Sequence, residues 1–367
     1  MKIGIDARSA MLHKKGGFGV YTRNLIKSMA LLYPEHIFEL KHQKEIEHGF
    51  NNLNNVKNYK LSFPLNMLWT QIRLPMHFLL NKPDIFLFPS QTISKFSSIK
   101  KVVTIHDLRF KAIENHDKSE YFRLNIQIKD CIEYSDRIIC VSNQTKSDLI
   151  KYYSVDEKKI KVIYHGANHI KEINESTITY RKNDLMEKFK IRRDFLLTVG
   201  YTHKHKNIVR VVSCLGDLIK DGYDLDLVIV GPQGNDEKNI QEKISNLGLN
   251  DRVIRIPYAE SKLLGYLYHF SNLFIYPSTY EGFGFPVLES MRSGGAVLGS
   301  NAGSIPEIGG NAMEYFNLDE PEELTAKVKS IISDVEKREI LKLRGYKHAR
   351  NFLWENTAKM MMESLQI

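Results

Sequence analysis

The sequence predicts an α/β protein made of two doubly wound parallel sheets, and three observations predict it. Short runs rich in Val, Ile, Leu and Phe recur with little alternation, as expected of strands covered by helices on both faces. Amphipathic stretches of helical period separate these runs. At about 150 residues per domain, the 367 residues provide for two domains, each able to bury its own core.

In chain order, the strand candidates of the first half are Lys2–Asp6, Asp84–Phe88, Lys101–Ile105, Arg137–Val141 and Ile160–Tyr164. Those of the second half are Phe195–Val199, Leu225–Val230, Val253–Ile256, Leu273–Tyr276 and Ala296–Gly299. Helical patterns run between them over Val20–Leu32, Asn143–Tyr153, Ile208–Lys220, Asn239–Leu247 and Ser261–Phe270. Residues 167–180, ANHIKEINESTITY, are polar and weakly periodic, and the chain restarts with a strand after them. We therefore expect domains at 1–170 and 171–345, with a C-terminal helix over 346–367 packing back on the first. From Leu324 onward the pattern is helical throughout.

Charge divides the chain at the same place. The whole sequence carries 52 Lys and Arg against 43 Asp and Glu, a formal +9, which admits nucleic acid, an anionic membrane or phosphorylated substrates as partners. Residues 1–170 hold 26 of the cations and only 16 of the acids. Between His48 and His106 the sole acid is Asp84, against Lys57, Lys60, Arg73, Lys82, Lys95, Lys100 and Lys101. Cys131, Cys140 and Cys214 have no metal-ligand spacing and form an odd set, which suits a reducing compartment. The opening MKIGIDARSAM reads as a strand rather than a signal peptide, and no run reaches about 18 apolar residues. A cytoplasmic protein is expected, at the inner face of the cell membrane.

Ligands of doubly wound sheets bind beyond the C-terminal ends of the strands, so chemistry is sought in the loops that follow them. Two such domains are expected to face each other across a cleft. After the first strand, the loop His13-Lys-Lys-Gly16-Gly17-Phe-Gly19 opens a helix. Its glycines let backbone amides approach an anion at the helix start, or form a plain flexible turn. VVTIHDL ends a strand with His106 and Asp107. His106 can donate a hydrogen bond or handle a proton near neutral pH, or be structural; Asp107 reads as a loop cap. VGYTHKHKN places Lys204 and Lys206, interleaved with His203 and His205, before a helix whose dipole they oppose unless an anion binds. The alternative is a solvated basic turn. In YPSTYEGFGFPVLESMRSGG, Glu281 and Glu289 frame a Gly282-Phe283-Gly284 turn, with Pro286 in the first turn of the next helix. Amides of that turn and the two carboxylates suit sugar hydroxyls or phosphate, though a helix-start acid and an exposed helical acid would read similarly.

With these residues in view, the Glu281-x7-Glu289 element resembles the signature of retaining glycosyltransferases with two Rossmann-like domains, those of glycosyltransferase family 4. The likeness extends through GGFGVYTRNL, WTQIRLP at 69–75, TIHDLRF, RIICVSNQTKSDL, KVIYHG, Lys206-Asn207 and SNAGSIPEIGG, in the family's order. It is greatest to the bacterial branch that builds surface polysaccharides, mannosyltransferases prominent among them. The resemblance implies a GT-B fold and transfer of a hexosyl group, with a lean to mannosyl from GDP-mannose, onto a glycan or lipid-linked glycan. It implies that Gly16, Gly17, His205, Lys206, Gly282, Phe283, Gly284 and Glu289 bind the donor. Lys206 would meet the diphosphate and Glu289 the ribose, with Glu281 and His106 at the reacting sugar. No metal or cofactor is implied beyond the nucleotide-diphosphate sugar itself. Where the family commonly has Pro-Arg and Pro, this chain has Lys204-His205 and Gly295. A neutral His205 supplies less fixed charge than Arg, for which Lys204 could compensate.

The alternative within the fold is a nucleotide-sugar epimerase or hydrolase. A nicotinamide dehydrogenase would want G-x-G-x-x-G with an acid about 20 residues on, which GGFGVY does not fit. No nucleic-acid recognition module is present to use the basic half. Residues 63–80, FPLNMLWTQIRLPMHFLL, read either as a core helix or as a surface resting on anionic lipid.

Overall fold

The computed structural model describes residues 1–11, 16–46, 50, 52–63, 68–96, 98–113, 118–173, 178 and 180–366. His13 and its two lysines, residues 64–67 of the apolar run, and part of the polar stretch at 167–180 lie outside these. The chain forms two compact units, Met1–Gly166 together with Leu353–Ile367, and Ala167–Phe352. The divisions thus fall at 166/167 and 352/353 rather than at 170/171 and 345/346. Ile170 is buried, and its carbonyl accepts from Arg292, which ties the segment after Gly166 to the second unit.

The first unit holds seven parallel strands: β1 (Lys2–Asp6), β2 (Ile37–His42), β3 (Val56–Lys60), β4 (Ile85–Phe88), β5 (Lys100–Ile105), β6 (Arg137–Cys140) and β7 (Ile160–Val162). Their order is β3-β2-β1-β4-β5-β6-β7. The chain winds outward one way from β1 and returns to wind the other way from β4. Trp69, Leu74, Phe86, Phe88, Val103 and Ile105 belong to the core on one face. The helices Gly17–Leu32 and Trp354–Ser364 pack on each other, so the C-terminal helix belongs to this unit.

β2 and β3 lie where the apolar-run criterion marks no strand, and their residues show why. β2 reads IFELKH and buries Glu39, Lys41 and His42. The Lys41 ammonium is 2.9 Å from Glu39 Oε2 and 3.4 Å from the centre of the Tyr59 ring, which β3 supplies as its register partner. Burial lowers the Lys41 pKa, and Glu39 opposes that shift. A strand whose inward charges neutralise each other is hidden from any hydrophobicity pattern. β3 is an edge strand with mostly polar residues.

The second unit holds six parallel strands in the order β10-β9-β8-β11-β12-β13. They are β8 (Asp194–Val199), β9 (Leu225–Val230), β10 (Val253–Ile256), β11 (Leu273–Tyr276), β12 (Val297–Ser300) and β13 (Glu314–Phe316). Leu196, Val211, Leu215, Leu227, Ile229 and Ile275 lie in its core. Each fully buried side chain of this kind contributes roughly 1.5–3 kcal/mol relative to exposure. The winding reverses between β8 and β11, and a reversal leaves a crevice beyond the strand ends where neighbouring loops diverge. The loops after β8 and β11 carry Lys206 and Glu281. Among the described residues, no helix is long and apolar enough to cross a membrane.

Candidate active site

In the second unit the strand-order reversal at β8/β11 brings two loops together. After β8 the chain passes Gly200, makes a short 3-10 turn over Lys204–Lys206, and reaches Asn207 with φ +54° before the helix Ile208–Lys220. That turn directs the Lys206 side chain back over Gly200. Its ammonium lies 2.5 Å from Glu281 Oε1 and donates to the Tyr276 hydroxyl at 3.1 Å. The cation that opposed the helix dipole in the sequence therefore meets a carboxylate. Burial would push the Glu281 carboxyl up, but Lys206 and His205 hold it below the ordinary carboxylate value. Burial, and then Glu281, push the Tyr276 phenol well above 10, so it stays protonated.

Glu281 is fixed from behind by Gly303, which follows β12 with φ +58°. A Cβ at Gly303 would lie 2.8 Å from the Glu281 nitrogen and 3.0 Å from its carbonyl oxygen. The Glu281 carbonyl also accepts from the Ser304 N–H. The turn continues through Gly282 and Phe283, both buried, to Gly284, whose φ of +95° caps the helix Phe285–Arg292. Phe283 packs edge-on against Phe285 and Phe352.

One turn along that helix, Glu289 is buried and engaged through both oxygens. Oε1 is 2.9 Å from His169 Nε2, and Oε2 accepts from the Tyr268 hydroxyl at 3.1 Å. It is not the exposed helical acid that the pattern allowed. His169 and Tyr268 were missed from sequence. His169 follows β7 by a few residues, so the after-strand criterion could have found it; Tyr268 reads as one more apolar-face residue of its helix. His205 is buried beside Lys206, and its carbonyl accepts from the Thr279 N–H at 2.8 Å, which joins the two loops. Its ring stacks on His203, which stacks in turn on Tyr201. Lys204 is exposed. At Gly295 the family's proline would not fit: the Gly295 N–H donates to the Ser290 carbonyl, and a Cβ would lie 2.8 Å from the Tyr268 carbonyl oxygen.

The first unit holds the remaining candidates, Gly16, Gly17 and His106. Gly16 caps the helix Gly17–Leu32, its carbonyl accepting from Gly19 and Val20. The first turn of that helix sets Phe18 edge-on against the His106 ring at 4.5 Å, so this loop and the residue after β5 come together. His106 is buried, and its Nε2–H donates to the Pro89 carbonyl at 2.8 Å, leaving Nδ1 as the acceptor. Burial drives its pKa down to about 4. This corrects the expectation of proton handling near neutral pH: the ring is a fixed neutral group. Asp107 accepts from the Arg109 N–H, as a loop cap does. Because the unfolded chain takes up this histidine's proton first, stability is expected to fall as pH drops from about 6.5 to about 4. Urea titrations across that range should show it, with a shallower slope in His106→Gln; an equal slope in the variant would remove His106 as the cause.

Nucleotide-diphosphate chemistry asks for a held cation at a crevice and carboxylates able to accept from sugar hydroxyls. Comparison with known proteins gives the family. Residues 15–170 match the model described as Glycosyltransferase Family 4, and residues 182–348 match that described as Glycosyl transferases group 1. The chain belongs to the glycosyltransferases that join these two domains, with the GT-B fold. Among relatives, it is 29% identical over 234 residues to the O-antigen chain mannosyltransferase RfbU of Salmonella typhimurium, covering 63% of this chain and 60% of that one. It is 24% identical over 318 residues to the O-antigen chain mannosyltransferase B of Escherichia coli, covering 85% and 80%. The matched region thus spans less than two thirds of the Salmonella relative and four fifths of the Escherichia one. In structure it is similar to Anabaena HepE in complex with UDP and glucose, with a TM-score of 0.75 and 18% identity over 100% of this chain and 99% of that one.

Proposed function

We propose that this protein is a retaining hexosyltransferase that moves mannose from GDP-mannose to a glycan or lipid-linked glycan in bacterial surface polysaccharide synthesis. The observation that carries the reading is the Lys206–Glu281–Tyr276 cluster at the β8/β11 reversal, in a chain whose relatives include O-antigen mannosyltransferases. In this reading the second unit binds the donor and the basic first unit the acceptor, with the anionic face of a membrane nearby.

The donor diphosphate displaces Glu281 from Lys206 and takes the ammonium as its counter-ion. Glu281, freed, accepts from hydroxyls of the transferred sugar, while Glu289 turns to the ribose. The amides at Gly282–Gly284 and the His205 ring complete the second unit's donor site. The bond from the anomeric carbon to the phosphate oxygen breaks through an oxocarbenium-like transition state. The acceptor oxygen adds from the same face, and its proton passes to the departing phosphate oxygen. Lys206 stabilises the charge that grows on that phosphate, the electrostatic term expected to dominate. A cationic side chain in this place fills the role of a metal, so transfer should persist in EDTA.

The test is a thermal-shift panel of nucleotide diphosphates and sugar nucleotides, since a donor that binds the folded state raises its melting temperature. A shift confined to guanine compounds is expected. One confined to uridine compounds would overturn the GDP-mannose reading. Conversion of the sugar nucleotide without acceptor would point to an epimerase or hydrolase.

A further inference from the structure

Around residues 68–82 the first unit presents an apolar face that its own core does not use. The segment is a five-residue π-helical turn, Trp69–Arg73, running into the helix Leu74–Leu80. Trp69, Leu74 and Phe78 point inward and are buried. Ile72, Met76 and Leu79 lie on the other side at helical spacing, and Leu79 and Leu80 are each 86% exposed. The core-helix reading of this run therefore holds for its inward face, and the outward face is apolar and exposed. Phe96, 64% exposed, stands across from the helix.

Between them lies a groove of about 740 Å³, lined by Ile72, Met76, Leu79, Phe96 and Ile99, with Lys82 beside them. That volume falls within the roughly 300–1,000 Å³ of small-molecule pockets. Among its polar lining residues, Gln71 is spent on the backbone of Ile93 and Lys95, and Lys82 donates to Ser98 Oγ at 3.3 Å. The charged group in the groove is thus a cation.

The groove also has a direction in the fold. Lys82 stands just before β4 and Ile99 just before β5, so this end opens at the N-terminal edge of the sheet, opposite the edge that carries Gly16 and His106. Exposed Lys2, Lys57 and Lys100 sit at the starts of β1, β3 and β5 along the same edge. Along this edge Lys2, Lys57, Lys82 and Lys100 stand against the acids Glu35, Asp84 and Asp136, and the charge within the groove itself is the Lys82 cation. An apolar groove with a cation at its rim matches an anionic bilayer, which offers hydrocarbon beneath phosphate.

We propose that this groove takes one hydrocarbon chain of an anionic membrane phospholipid, with its phosphate at Lys82. The inference rests on the membrane-linked acceptor reading above and gives that reading an address. It sets the N-terminal edge of the first sheet on the bilayer and leaves the opposite edge free for the glycan.

The experiment is calorimetric titration of the full chain with monomeric dihexanoylphosphatidylglycerol, dihexanoylphosphatidylcholine and glycerol phosphate. The anionic lipid should bind about tenfold more tightly than the zwitterionic one, and the chainless head group should not bind measurably. Met76→Asp should weaken the anionic lipid about tenfold by placing charge in the groove, while Met76→Leu retains binding. Lys82→Gln should abolish the preference between the two lipids. Met76 is half exposed, so both replacements are expected to fold, which melting curves verify. Equal binding of the two lipids, binding by head group alone, or Met76→Asp behaving as the parent would each overturn the proposal. Transfer to a lipid-free glycan, assayed in parallel, separates the two readings. Transfer without lipid binding sinks only the groove, and no transfer from any sugar nucleotide sinks the enzyme reading.

Discussion

Lys206→Met is expected to lower transfer by about 10²–10³-fold, the cost typical of removing one preorganised donor from a developing oxyanion. The loss should appear in kcat/KM with the natural donor, because in the proposed reaction the ammonium meets the phosphate both in the bound donor and as charge builds on it. A stability effect accompanies it. The variant leaves the half-buried Glu281 carboxylate without its cation, 2.5 Å away in the parent; breaking a fully buried pair from one side costs about 3–5 kcal/mol, and this partly solvated pair should cost less. The double variant Lys206→Met/Glu281→Gln removes both charges and should recover much of the melting temperature while staying inactive. Recovery of activity along with stability would show that Lys206 serves only the fold. Full activity in Lys206→Met alone would remove it from the diphosphate site.

Gly303→Ala should cost about 10²-fold in activity, the scale of a misplacement near 1 Å in a catalytic group. Two effects combine. At φ +58° an alanine is strained by roughly 1–2 kcal/mol. Its Cβ would also press on backbone, 2.8 Å from the Glu281 nitrogen, and backbone cannot swing aside as a side chain can. Glu281 must therefore shift. Gly222→Ala is the control, since Gly222 has φ +89° but open space where a Cβ would go. It should lose a similar increment of stability and keep its activity. Comparable kinetics for the two variants would show that crowding at Glu281 does not matter.

Much of this architecture was legible because parallel strands buried on both faces read as continuous apolar runs. Phe195–Val199, Leu225–Val230 and Leu273–Tyr276 declare themselves in that way. β2 did not, because Glu39 and Lys41 cancel inside the sheet, and three-residue β13 is too short to carry a pattern. At the site, Glu281 and Lys206 were readable from position alone, each just after a strand. Their union was not, because 75 residues separate them in sequence and only the reversal between β8 and β11 brings the two loops side by side. His106 was legible in place but not in state. Its neutrality comes from burial among Phe18, Tyr21 and the Pro89 carbonyl, which no local spacing reveals.

The Glu39–Lys41 pair in β2 constrains how this sequence can change over time. Either residue replaced alone leaves a buried charge without its partner, a cost of about 3–5 kcal/mol. A domain has only about 5–15 kcal/mol of net stability, so such a step uses up much of the margin for other mutations. Loss of both charges together, in contrast, can be neutral or favourable. Descendants of this protein should therefore carry the two residues jointly or lack them jointly, and the pair is inherited as one character.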